Sequence, residues 1–270
     1  MEPFQKGHLS YHVIKSWEEK FPNLTAGITT RHGGTSSDPY DTLNMGLHVH
    51  DDGNAVVENR QRLAELVQFP LKSWVLGEQV HGTKIVKVEA ESPFIGAGTI
   101  PEQPAIAGID GLITKNKDIL LAAFLADCVP LYFYDPKTGW FGIAHAGWKG
   151  TVGGIAREMV KHLISEGVSA KDLYVAIGPS IGANNYQVNQ QVIDQIPKHY
   201  QDAVCVKLDL ESDQYLLDLK KLNQLILIDQ EIDQEKIIVS KQCTYEQPHF
   251  YSHRQDQGQT GRMLGFIGCR

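Results

Sequence analysis

Three side chains of a type that can hold a metal or attack a substrate stand where strands are expected to end or turn: His81, Cys128 and His145. One cysteine and two histidines are the ligand count of a catalytic zinc site that keeps a fourth position for water or substrate. A trigonal copper site uses the same ligands with a weak axial methionine, which no methionine of this chain obviously supplies. Without a metal, Cys128 reads as a nucleophile with His145 as base and Asp127 or another carboxylate as orienter, the logic of a cysteine hydrolase or amidase. A non-catalytic metal-binding or redox-sensing module is the remaining reading, and the many polar groups on loops count against it. The three positions are far apart and fit no compact motif, so spacing leaves these readings open. His48 and His50 would share one face of an extended chain and form a second candidate pair for metal.

The frame around Cys128 and His145 is apolar. Residues 119–125 and 129–134 are strand-length apolar runs, and Asp135-Pro136-Lys137-Thr138-Gly139 has the chemistry of a hairpin turn before a returning strand over 140–144. Cys128 then lies at a strand junction and His145 at the end of the returning strand. A bare polar group in such surroundings costs about 1–3 kcal/mol, so each must be paired or bound. Gly147 and Gly150 allow close backbone approach, and a helix is expected from Thr151, with an amphipathic stretch over 152–165.

Earlier in the chain, strands are expected over 11–14 and 24–30, the second running into the polar loop that begins Arg31-His32-Gly33-Gly34. Asn54 is expected to cap a helix over 55–68 that carries Arg60. Strands over 74–80 and 83–88 flank the His81-Gly82 turn, the Pro- and Gly-rich stretch 90–108 reads as a surface excursion of the kind that covers active sites, and the sheet resumes over 109–114. Later elements are a strand over 173–177, a short helix over 188–196, and strands over 204–208 and 237–239 flanking a helix over 216–230. The block from Cys243 to Arg262 concentrates polar and aromatic groups, and Ser252-His253-Arg254 beside Tyr251 suits a sugar phosphate, with an aromatic free to stack a base.

Composition narrows the classes. Apolar residues at 42% and charged residues at 21% describe a globular chain, and its length supports one large domain over residues 1–270. A net charge of −7 with no basic cluster argues against nucleic acid, whose phosphates are bound through lysine and arginine. No apolar run is long enough to span a bilayer, and the N-terminal residues lack a cationic start followed by an apolar core, so no membrane partner and a cytoplasmic location are expected. The four cysteines are dispersed and form no CxxC, which fits reduced thiols.

Several blocks together resemble the YfiH-like family, also called laccase-domain or polyphenol-oxidase-like. They run in order as TRHGGTS from Thr30, LNMGLHVHDD from Leu43, EQVHG from Glu78, GIDGLIT from Gly108, LADCVPL from Leu125, AHAGWKGT from Ala144, IGPSIG from Ile177, then FYSHRQD and TGR. The resemblance implies an α/β (α+β) sandwich of mixed β-sheets covered by helices. It implies zinc held by His81, Cys128 and His145, and phosphorolysis of adenosine, inosine and methylthioadenosine, with adenosine deamination as a companion activity. Purine nucleosides and phosphate are the implied partners, for a chain acting alone or as a homodimer. The laccase label would instead mean a copper-dependent phenol oxidase, but Asp127 and Val129 flank Cys128 where a trinuclear cluster needs histidines. Phosphorolysis requires a cationic cradle, for which Arg31, Arg60, Lys149 and Arg254 are the candidates beside glycine-rich or polar loops; His48 and His253 are candidate proton donors, and Asn44 and Ser252 candidate hydrogen-bonding residues for sugar or base. Two departures stand out: His50 where glycine is expected, and Asn185-Tyr186-Gln187-Val188 where the family often has Cys-Tyr-Glu-Val.

Overall fold

The computed structural model describes residues 1–209 and 213–270. Its strands, in chain order, are β1 (Phe4–Lys6), β2 (Tyr11–Ile14), β3 (Leu24–Thr29), β4 (Trp74–Leu76), β5 (Ile85–Lys87), β6 (Gly111–Thr114), β7 (Leu120–Leu125), β8 (Val129–Tyr134), β9 (Phe141–Ala146), β10 (Tyr174–Ile177), β11 (Gln187–Asn189), β12 (Cys205–Lys207), β13 (Gln214–Leu217), β14 (Ile237–Val239) and β15 (Met263–Cys269). The helices are α1 (Lys15–Lys20), α2 (Gly53–Val67), α3 (Trp148–Gly153), α4 (Ile155–Ser165), α5 (Gln190–Ile193), α6 (Lys198–Val204) and α7 (Leu219–Ile228). One six-stranded sheet has the order β1-β2-β3-β15-β7-β4, a second the order β14-β10-β8-β9-β6-β5, and β11-β13-β12 form a small third sheet.

The two large sheets pack face to face. Ile28, Leu121, Ala123, Met263 and Ile267 of the first share a core with Tyr132, Ile143 and Ala176 of the second. The outer face of the first sheet, with Leu120, Ala122, Phe124, Leu264 and Phe266, packs on Leu63, Ala64 and Val67 of α2. The outer face of the second, with Val129, Leu131 and Phe133, packs on α4 and α7 through Met159, Leu163, Leu222 and Ile226. Burial on both faces explains why β7, β8 and β9 read as continuous apolar runs instead of alternating ones. This is the expected sandwich of mixed sheets covered by helices.

The central hairpin forms as expected, with β8 and β9 antiparallel through Val129↔Ala146 and Pro130↔His145. The strand before it behaves differently: β7 belongs to the first sheet, so residues 126–128 carry the chain from one sheet to the other. Asp127 makes that crossing with φ +82°, in the left-handed region.

Other boundaries move for local reasons. Asp52, not Asn54, caps α2 by accepting the N–H of Asn54, and Gln68 ends it in the left-handed conformation. The helix after His145 starts at Trp148, earlier than expected, and Gly154 (φ +95°) separates it from α4. The expected helix over 216–230 begins only at Leu219, because residues 214–217 pair as β13. Strand β11 likewise shortens the expected helix over 188–196 to α5. The stretch 90–108 is not a plain surface excursion, since Thr99 and Ile106 are buried and Ile106 bridges to Gly77. The largest omission is β15, which lies between β3 and β7 at the heart of the first sheet. Glycines dilute its apolar pattern for a packing reason: a Cβ at Gly265 would lie 2.8 Å from the Tyr132 hydroxyl.

Candidate metal centre

The sheet topology delivers the three ligand-type residues to one point. Strands β4 and β7 are parallel, so the segments leaving their C-terminal ends emerge side by side. Gln79 extends this pairing with its side chain, accepting the N–H of Phe124 at 2.6 Å and donating to its carbonyl at 2.8 Å. His81 follows from the first segment and Cys128 from the second. The β8–β9 register sets His145 opposite Pro130, next to Cys128. One donor atom from each of His81, Cys128 and His145 lies within 4.8 Å of the others, and among the described residues no other group of three forms such a cluster. Cys128 Sγ is 3.8 Å from His81 Nε2.

Asp110 holds this cluster together. It sits just before β6, whose pairing with β9 brings it beside His145. Its buried carboxylate meets His145 Nδ1 at 2.8 Å through Oδ1. The same carboxylate accepts the backbone N–H groups of Val80, His81 and Gly82 at 3.2, 3.0 and 2.7 Å. His81 is thereby kept at φ +60°, a conformation non-glycine residues seldom adopt. One carboxylate thus fixes the ring orientation of one ligand and the loop of another, leaving the Nε2 of His145 for the cluster. Gly147 completes the fit, because a Cβ there would lie 2.5 Å from His81 Cδ2 and 3.2 Å from Cys128 Sγ.

The electrostatics favour a cation. Burial pushes the Cys128 thiol up, but the His145 and His81 imidazoles outweigh it and bring it to about 6. Burial pushes His145 down, and Cys128 and Asp110 raise it to about 9. In the metal-free protein the pair is therefore thiolate and imidazolium near neutral pH. Two imidazoles, a ready thiolate and a carboxylate behind one ring fit the donor set of a divalent zinc-type site.

Two cavities meet at His81 and Cys128. The larger, about 860 Å³, is also lined by His145, His48, Gln79, Phe124, His253 and Arg262. The smaller, about 260 Å³, is lined by Trp148, Lys149, Tyr186 and Asp127 among others. Turns of the 90–108 stretch, from Gly98 to Ala105, wall the larger cavity. His48 lines this cavity with part of its ring exposed; desolvation against its neighbours, then the charges of Arg262 and Arg60, lower it to about 4.

The other residues singled out from the sequence divide. His48 and His253 do line the large cavity, and Lys149 the small one. Arg60 is fully buried and commits four of the five N–H groups of a guanidinium to the carbonyls of Met45, Gly98 and Thr99. Arg31 lies outside the cavities, paired with Asp41 at 3.0 Å and set against Tyr251. Arg254 donates to the Gln187 carbonyl and lies over Tyr186. These three are not gathered into one cradle with Lys149. Asn44 and Ser252 are completely buried and serve the walls: Asn44 binds Gly46, Asp51 and the N–H of Arg262, and Ser252 donates to Asp127 at 3.0 Å. Asp127 also accepts from Thr244 and the N–H of Arg254, so it anchors the segment bearing His253 and does not orient His145. His50, at φ +66°, breaks the extended geometry that would have paired it with His48. Gln187 is exposed and bonds Gln214 across β11 and β13. Asp110, Gln79, Phe124 and Arg262 were not singled out, although Asp110, Gln79 and Arg262 lie inside the blocks GIDGLIT, EQVHG and TGR.

Residues 25–270 match the family model described as multi-copper polyphenol oxidoreductase laccase. The chain belongs to this family. Its similar relatives include proteins named purine nucleoside phosphorylase YlmD, from Bacillus subtilis (44% identical over 99% of this chain and 98% of the relative) and from Geobacillus stearothermophilus (47% over 93% and 92%). Among solved structures, the Bacillus licheniformis hypothetical protein YfiH superposes with a TM-score of 0.94 at 39% identity, covering 100% of both chains. The structure of YlmD from Geobacillus stearothermophilus gives 0.91 at 44%, also over 100% of both. In this family member, three donors converge with one shared supporting carboxylate.

Two outcomes follow from that geometry. Asp110→Asn keeps an acceptor for His145 but puts an amide where backbone N–H groups converge, so divalent-metal affinity should fall about 10- to 100-fold. Competition with a chromophoric chelator measures it, and unchanged affinity would contradict the role given to Asp110. Because a metal needs His145 neutral while the free site holds it protonated below about 9, zinc uptake should release protons, and affinity should rise from about pH 6 to about pH 9 and then flatten. Calorimetric titration across that range checks this, a flat profile being the contrary result.

Proposed function

We propose that this chain is a metal-dependent purine nucleoside phosphorylase that converts adenosine, inosine and methylthioadenosine to the free base and the (methylthio)ribose 1-phosphate. The observation that carries the reading is the His81–Cys128–His145 cluster opening onto a cavity of about 860 Å³, within the size range of small-molecule sites. The names borne by the Bacillus and Geobacillus relatives support it. Zinc is the ion the donor set fits best, and when bound it supplies Lewis-acid polarisation of a substrate oxygen.

Phosphorolysis breaks the bond between ribose C1′ and a purine ring nitrogen. A phosphate oxygen forms the new bond to C1′, and the purine departs with the electron pair and takes up a proton. Phe124 offers an apolar face inside the cavity, and Gln79 shapes the wall next to it through the main chain of Phe124. His48, held neutral in the free protein, is not an acid at neutral pH, so we assign the proton for the departing base to His253. Adenosine deamination, in which water oxygen bonds to C6 and the amino group leaves as ammonia to give inosine, is the companion activity we assign to the same site.

One observation favours a second reading: Cys128, His145 and Asp110 stand in the order nucleophile, base and orienting carboxylate, as a cysteine hydrolase requires. Product analysis separates the two. With adenosine, inosine or methylthioadenosine, free base and the sugar 1-phosphate should appear only when phosphate is present and should vanish after metal removal. Turnover that ignores phosphate, or none on any purine nucleoside, would contradict the phosphorylase; amide hydrolysis surviving chelation would support the hydrolase.

A further inference from the structure

The large cavity has a cationic corner that the cluster of metal ligands does not account for. Arg60 and Arg262 both reach its wall, and among the described residues neither makes an ion pair with a carboxylate. Arg60 has no exposed surface of its own, so a full positive charge is buried behind the wall on carbonyl partners alone. Arg262 spends only Nη1 on the protein, donating to the carbonyls of Thr260 and Gly261 at 2.9 and 3.0 Å. Its Nε and Nη2 have no partner among the described residues. A guanidinium left with two adjacent free donors matches the two-oxygen edge of a phosphate or carboxylate.

These groups are packed into one constellation. Phe124 packs against both Arg60, whose guanidinium carbon is 5.3 Å from the ring centre, and His48, whose ring centre is 5.2 Å away in an edge-on arrangement. Gly46 lies under both His48 and Arg262: a Cβ there would be 2.9 Å from Arg262 Cγ and 3.3 Å from His48 Cε1. The backbone of Arg262 is pinned from both sides, its N–H donating to Asn44 Oδ1 at 2.8 Å and its carbonyl accepting from Met45 at 3.0 Å. Asn44, Gly46, Arg60 and Arg262 thus form a rigid frame around free donors, and among the described residues no carboxylate pairs with either guanidinium. Burying a charge without a counter-ion is costly, and the cavity is where a counter-ion can sit.

We propose that the corner between Arg262, Arg60 and His48 is an oxyanion subsite that takes a phosphate group. Arg262 supplies the fork, Arg60 the fixed charge behind it, and His48 a hydrogen bond from its ring. That the group is the phosphate co-substrate rests on the phosphorylase reading; the binding of an anion does not. The same chemistry would recognise the 5′-phosphate of a nucleotide, so both sources are tested.

The test is calorimetric titration of the metal-loaded protein with inorganic phosphate and, separately, with adenosine 5′-monophosphate. Arg262→Gln should weaken binding at least about tenfold, the factor that about 1.4 kcal/mol makes. Arg262→Lys, which keeps the charge and loses the fork, should fall between it and the parent. Arg62→Gln, which removes a surface pair with Glu58 on α2, should bind like the parent. Metal content and unfolding temperature verify folding, and Gly46→Ala, which displaces the Arg262 stem, replaces Arg262→Gln if that variant fails to fold. Arg262-dependent binding of phosphate assigns the subsite to the free anion; Arg262-dependent binding of the nucleotide alone assigns it to a 5′-phosphate and still supports the subsite. Binding of neither by the parent, or equal affinity in the Arg262 variants, overturns it. Phosphate binding without phosphorolysis would count against the proposed function and leave the subsite standing.

Discussion

The buried carboxylate of Asp110 is the interaction on which the site depends. Removing a carboxylate from water costs several kcal/mol unless its oxygens are satisfied, and here they meet three backbone N–H groups and one imidazole. Burial pushes its acidity the wrong way; the His145 ring and the backbone donors more than offset it, so the carboxyl stays below the usual range. The charge therefore persists at neutral pH. It keeps a proton on Nδ1 of His145, directs the other ring nitrogen at Cys128, and holds the strained turn at His81. Three candidate metal ligands from separate stretches of chain become one preorganised unit.

Topology makes that unit possible. A parallel pair, β4 and β7, releases two loops at the same edge of the first sheet, and the chain then crosses at residues 126–128 into the second. The seam between two packed sheets cannot be closed by strand pairing, and the cavities lie there. Asp127 mirrors Asp110 at this seam: its carboxylate gathers Thr244, Ser252 and the N–H of Arg254, fastening the segment with His253 beside Cys128. Each of the two aspartates ties a remote segment to the His81–Cys128–His145 cluster.

Much of this was legible in the sequence, and the rest was hidden for identifiable reasons. The apolar runs of β7, β8 and β9 announced themselves because both faces are buried, and the polar interruptions at Cys128 and His145 marked the site. Strand β15 was invisible because Gly265 and Gly268 interrupt its pattern, a need set by Tyr132, Phe69 and the Ile119 carbonyl across the packing. The crossing between sheets leaves no periodic signature. Arginines near glycine-rich loops looked alike in the sequence, yet Arg60 is consumed by carbonyls and Arg31 is paired with Asp41 away from the two cavities, while Arg262 keeps free donors on a cavity wall. Asp110 looked like an ordinary turn residue, since its four partners lie 28 to 35 residues away along the chain.

On this geometry, His81, Cys128 and His145 are proposed to bind one divalent ion together. X-ray absorption of the purified protein at the metal edge tests it most directly, paired with metal content. About one ion per chain should be found, with one sulfur at about 2.3 Å and two nitrogens at about 2.0–2.1 Å in its shell, and Cys128→Ser should lose both the sulfur and most of the metal. Metal bound without a sulfur neighbour, or retained unchanged in Cys128→Ser, would contradict it.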